Sequence, residues 1–133
     1  MKMYLIAAAV LLASSSCKKN KDGGKFTKDF SPVVNTERLD GGHPYTIKMK
    51  VTFIVFNGCG AFDSFSSSWQ KDTLVMKVVA RYPANAFCTD NLPALTTTFT
   101  KEYTKPGTYY IKWVGPGQGE PEGSVHRDTV VVN

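Results

Sequence analysis

The sequence predicts an all-β fold, an antiparallel β-sandwich of about six to seven strands. Three observations carry that expectation. Apolar side chains recur with period two, the spacing that puts them on one face of a strand. No segment carries a long apolar stripe of helical period. Glycine, proline and asparagine punctuate the chain between short apolar runs, as in a sandwich of about 100 residues. The patterned body spans 26–133 and has the size of one domain.

The elements follow in chain order. FTKDFSPVV (26–34) predicts an N-terminal edge strand interrupted by Pro32, which has no N–H to offer a ladder. YTIKMKVTFIVF (45–56) is the clearest strand: Tyr45, Ile47, Met49, Val51, Phe53 and Val55 share one face, and Thr46, Lys48, Lys50 and Thr52 the other. Ile54 and Phe56 break the polar face, so some covering is expected at that end. AFDSFSSSW (61–69) sets Phe62, Phe65 and Trp69 at helical spacing, but its three consecutive serines disfavour a helix and the segment reads as a loop with at most one helical turn. DTLVMKVVARY (72–82) alternates again, with Leu74, Met76, Val78, Ala80 and Tyr82 on one side, and Pro83 ends it. LTTTFTKEY (95–103), TYYIKWV (108–114) and VHRDTVVV (125–132) supply three more strands. GPGQGEPEG (115–123) is a hairpin loop; its Glu120 and Glu122 lack the spacing of a calcium loop. No strand face is large enough alone, so two sheets must meet to bury these rows.

The turn YTKPGTYYIKW (103–113) is the most specific local signal. Pro106 presets φ, and Gly107 accommodates the positive φ of a type II turn. Tyr103, Pro106, Gly107, Tyr109 and Ile111 resemble the end of immunoglobulin-like repeats of the PKD (polycystic kidney disease) kind, over roughly residues 96–132. The resemblance implies an immunoglobulin-like sandwich and a corner role for Tyr109, its hydroxyl bonded to backbone across the turn. The Trp-Asp-Phe-Gly-Asp-Gly stretch of those repeats is absent.

The N-terminus addresses the chain. Lys2 precedes an apolar run, Tyr4 to Ala13, that is too short for a membrane span of about 20 residues and fits the apolar core of a signal peptide. Ser14, Ser15 and Ser16 then lead to Cys17. This order resembles the lipobox of bacterial lipoproteins, in its serine-rich form from Bacteroidota-type bacteria, with Ser14 where Leu usually stands. The resemblance implies a signal peptide over 1–16, a lipidated Cys17 and a place in the bacterial envelope, on the outer membrane. CKKNKDGGK (17–25) reads as a flexible, lysine-rich tether ahead of the 26–133 domain. Surface-displayed lipoproteins of this type carry acidic residues after the cysteine; Lys18 and Lys19 favour a periplasm-facing position. FNGCGAF (56–62) is similar to small lipoproteins of the same group, which implies no activity.

Three cysteines are an odd number for an exported chain. Lipidation uses Cys17, and Cys59 and Cys88 remain as a pair that an oxidising compartment would bridge. Closing that loop stabilises by about 3–4 kcal/mol. Gly58 and Gly60 suggest a tight turn around Cys59, and the bridge would pin two loops at one end of the sandwich.

The net charge of +5 comes mostly from the tether: residues 26–133 carry eleven Lys or Arg against ten Asp or Glu. A nucleic-acid reader needs a basic face, so no nucleic-acid partner is expected. Ser64, His126 and Asp128 supply the residue types of a hydrolase triad without a nucleophile elbow or an oxyanion motif. His43 in GGHPY reads as a turn residue, and His126 as a solvent-facing strand residue. Met49 and Met76 stand on apolar faces and read as core. No cofactor, metal site or catalytic set is expected. Phe62, Phe65 and Trp69 form a candidate binding loop for a protein or carbohydrate partner, with packing over the core end as the plainer expectation. The function expected is a lipid-anchored, non-catalytic binding or structural accessory role; the alternative is an envelope enzyme or copper carrier built on His43 or His126.

Overall fold

The computed structural model describes residues 24–39, 44–116 and 125–132, with the backbone alone over 125–128. The described residues form eight strands: β1 (Phe26–Ser31), β2 (Val33–Leu39), β3 (Thr46–Ile54), β4 (Ala61–Gln70), β5 (Thr73–Pro83), β6 (Ala94–Glu102), β7 (Gly107–Val114) and β8 (Val125–Val132). They make two sheets. The smaller has the order β2-β3-β6. The larger runs β1-β5-β7-β8, with β4 also on β5. The β-sandwich expected from the pattern is the fold.

The strand count exceeds the expected six to seven for two reasons. Pro32 divides the first strand: β1 pairs with β5 in one sheet, and past Pro32 the chain crosses to pair as β2 with β3 in the other. Pro32 donates nothing, but its carbonyl accepts the Ile54 N–H at 3.0 Å, so the crossing is still tied down. The second addition is β4, considered below.

All strand pairs but one are antiparallel. β7 lies parallel to β5 over four residues, Thr73–Met76 against Tyr110–Trp113. Val78 pairs with both Phe65 of β4 and Ser31 of β1, and Thr73 with both Gln70 of β4 and Tyr110 of β7. β1 and β7 therefore share one side of β5, each on its own half. A parallel neighbour requires a crossover connection, and β6 in the opposite sheet lies on that path.

The two predicted apolar rows face each other across the sheets, except for Tyr45, which precedes β3 with a left-handed φ of 69° and is exposed rather than in the row. Ile47, Met49, Val51, Phe53 and Val55 from one sheet, and Leu74, Met76, Val78, Ala80 and Tyr82 from the other, are all buried. Full burial of each large member stabilises by about 1.5–3 kcal/mol, which neither sheet obtains alone. Phe99, Ile111, Trp113, Val130 and Val132 complete the core. Met49 and Met76 are core residues, as their faces required.

At the end of the sandwich where β6 turns into β7, the Tyr109 hydroxyl donates to the Lys105 carbonyl at 2.7 Å, the expected corner bond. Its ring stacks on Tyr103 at 3.8 Å between centroids, and burial raises the Tyr103 phenol above its ordinary pKa. Gly107 departs from expectation. It opens β7 without a left-handed φ, and an added Cβ would meet the Tyr109 ring at an ordinary 3.7 Å. The side chain of Tyr109, rather than a type II glycine, holds this turn.

Candidate functional site

The opposite end carries the bridge. Cys59, in the turn after β3, is joined to Cys88, in the 84–93 loop after β5, with 5.4 Å between Cα atoms. The pairing and its place at one end of the sandwich are as expected. Hydrogen bonds reinforce it: the Gly58 N–H donates to the Thr89 carbonyl (3.0 Å) and the Val55 N–H to the Pro93 carbonyl (3.1 Å). Asn57 folds the turn by accepting the Cys59 N–H at its side-chain oxygen (2.9 Å). Gly60 is needed for close approach: a Cβ there would lie 2.5 Å from Val55 Cβ and 2.8 Å from Tyr82 Cε1.

The expected aromatic loop is a strand. β4 pairs with β5 along its length, with a bulge between Phe62 and Ser64. Phe62 stands opposite Ala80 and Phe65 opposite Val78, so the extra residue at Asp63 brings both rings to the core face despite their three-residue separation. Helical spacing here was the signature of a bulged strand. Phe65 meets Phe99 at 5.3 Å and Trp113 at 5.9 Å edge-on, and Phe62 meets Phe53 at 6.1 Å. Asp63 instead pairs with Lys28 at 3.0 Å, and hydrogen bonds from Lys28 and then Ser64 hold its carboxyl below the ordinary carboxylate range.

Trp69 is separated from those two. It sits beside the β4–β5 hairpin turn, at the end away from the bridge, and is 61% exposed. Phe62, Phe65 and Trp69 therefore do not form one binding loop. Phe65→Ala is expected to cost about 2 kcal/mol by emptying its place in the ring cluster, less than for a fully buried ring because Phe65 is only partly buried. Trp69→Ala should change stability by no more than about 0.5 kcal/mol, as for exposed positions generally. Chemical unfolding of the two variants checks the contrast; equal losses would mean that Trp69 is packed.

The histidine candidates are not assembled into a site. His43 lies outside the described residues, as does Cys17. The backbone of His126 pairs with Trp113 on β8, and its side chain lies outside the description. Ser64 is on β4, with β5 and β7 between it and β8. Three strand spacings put the two backbones about 14 Å apart, too far for a serine–histidine hydrogen bond. Ser64 donates instead to Asp63 at 2.9 Å. Among the described residues no three His, Cys, Asp or Glu side chains cluster as metal ligands. The loop over 117–123 is outside the description.

The bridged end presents large apolar side chains beside the polar Asn85, Asp90 and Asn91 of the same loop. Phe87, next to Cys88, is fully exposed, Leu92 in the same loop is 65% exposed, and Phe56 and Phe26 are each about half exposed. Phe56 is held by stacking on Tyr82, whose hydroxyl accepts the Phe56 N–H at 3.1 Å. A groove of about 530 Å³ continues this surface, lined by Phe30, Ile54, Phe56, Leu92 and Val114. The Lys77 ammonium lies 4.6 Å from the centre of the Phe30 ring at its rim. Sequence reading missed Phe87 and Leu92. The available signal was two large apolar residues in a loop bounded by Pro83 and Pro93, with no strand to bury them.

Two facing sheets around one core, stapled at one end, define a β-sandwich domain protein. The matched family agrees: residues 49–131 match the ORF11 beta-sandwich domain, and the chain belongs to that family. The match runs from β3 into β8 and includes both bridged cysteines. No curated protein and no solved structure matches the chain.

Proposed function

We propose that this chain is a lipid-anchored lipoprotein of the bacterial cell envelope with a non-catalytic binding or structural accessory role. Residues 1–16 act as the signal peptide, Cys17 carries the lipid, and 17–25 tether the domain to the outer membrane, on its periplasmic side. The observation that carries this reading is the division of sulfur. Cys59 and Cys88 take each other, which leaves Cys17 as the unpaired cysteine, directly behind an apolar run and three serines. The contact surface is the bridged end, whose exposed aromatic and aliphatic side chains stand on a loop fastened at Cys88. The C-terminal part is read as immunoglobulin-like, of the PKD kind, with the Tyr109 corner bond in support.

Labelled palmitate supplied to bacteria expressing the full chain should enter the unaltered protein and not Cys17→Ala. Equal incorporation into both would remove the anchor and the envelope reading with it.

A further inference from the structure

The first described residues fix where the chain preceding the domain must come from. The Lys25 carbonyl accepts the Ala84 N–H at 2.8 Å, and Phe26 pairs with Pro83, so the chain enters β1 at the bridged end. Cys17 stands seven residues before Gly24 and so lies within about 25 Å of it along any path. The exposed Phe87, Leu92, Phe56 and Phe26 belong to that same end. Three further lysines, Lys18, Lys19 and Lys21, lie between Cys17 and Lys25 in the sequence.

We infer that the bridged end is a second, non-covalent membrane contact: Phe87 and Leu92 insert into the headgroup boundary of the bilayer that holds Cys17, with the sandwich upright above it. The inference rests on the lipoprotein reading and names the surface that the contact end meets. Three features of the chain point to lipid rather than to a protein. The patch lies beside the point from which the anchored segment departs. Its side chains are aromatic and aliphatic, the kind that seat at the acyl boundary. Positive charge in the adjoining sequence suits anionic headgroups. The bridge keeps the loop in place, so Phe87 loses little freedom on insertion.

Trp69 makes the orientation measurable. It stands near the far end of β5, about 30 Å from the bridged end at the rise of a strand. The full chain, purified with its acyl groups, is placed in vesicles of phosphatidylethanolamine and phosphatidylglycerol containing acyl-brominated phospholipid. The unaltered protein, whose exposed indole is Trp69, should keep its emission. The double variant Trp69→Phe, Phe87→Trp should lose emission roughly twofold, as expected for a side chain seated 5–10 Å into the boundary. Leu92→Trp in place of Phe87→Trp provides a second probe of the same surface and should be quenched likewise. If mass spectrometry finds the acyl group and neither probe is quenched, the orientation is wrong while the lipoprotein reading stands. If Trp69 is quenched instead, the sandwich lies inverted and the inference fails. A chain without acylation at Cys17 overturns both readings together.

Discussion

Trp113→Ala should destabilise the domain by about 3–5 kcal/mol, the largest effect expected of any single side-chain truncation here. Trp113 is completely buried on β7, and its ring meets Phe99 at 5.2 Å and Phe65 at 5.9 Å, both edge-on. Those two rings come from β6 and β4, the outer strands of opposite sheets. One indole therefore touches rings from both layers, and its removal leaves a void that neither sheet can close without moving the other. The indole N–H adds a discriminating detail, because it has no hydrogen-bond partner among the described residues. An unsatisfied buried donor costs about 1–3 kcal/mol. Trp113→Phe removes that donor while keeping an aromatic ring, so it should cost far less than the alanine change. Urea unfolding of the three proteins tests both statements. A loss below about 1 kcal/mol for Trp113→Ala would place the packing centre elsewhere.

Opening the Cys59–Cys88 bridge ranks second. Reduction, or the double change Cys59→Ser and Cys88→Ser, should cost about 3–4 kcal/mol for the loop that it closes. In a domain of this size that lowers the Tm by on the order of 15 °C. The 29-residue loop contains β4 and β5, so the bridge restricts the unfolded chain across the strand on which the larger sheet is built. The hydrogen bonds from Gly58 to Thr89 and from Val55 to Pro93 span the same two segments and should keep the loop near its place at room temperature. The loss therefore appears in the unfolding temperature rather than as an unfolded protein. Non-reducing mass spectrometry should find Cys59 joined to Cys88. Identical melting with and without reductant, or two free thiols in exported protein, would refute the staple.

The parts of the fold that could be read from the sequence share a physical cause. β3 buries one face and leaves the other to lysines and threonines, so its residues alternate; β5 keeps the same inward row from Leu74 to Tyr82 although Val75 on its other face is buried too, and in both strands the row survives in the linear order. Pro32 could be read as an interruption because a missing N–H is a property of the residue itself. β4 escaped for the converse reason. It pairs with β5 alone, its last four residues are exposed, and its bulge at Asp63 changes the spacing of the inward rings from two to three. A strand so modified resembles one turn of helix when only residue types are considered. The candidate site divided along the same line. Phe62 and Phe65 are drawn into the core by rings on β3, β6 and β7. Phe87 stays out: nothing among the described residues covers it.

Local chemistry thus settled the all-strand composition and the inward face of each clear strand, since side-chain alternation acts over a few residues. Contacts distant in sequence settled the remainder. They include the passage of the first strand from one sheet to the other, the parallel seat of β7 beside β5, and the placing of Phe87 at the end where the chain enters β1. Whether a ring is buried depends on what lies across the sheet from it, and that neighbour comes from a part of the chain that no local pattern specifies.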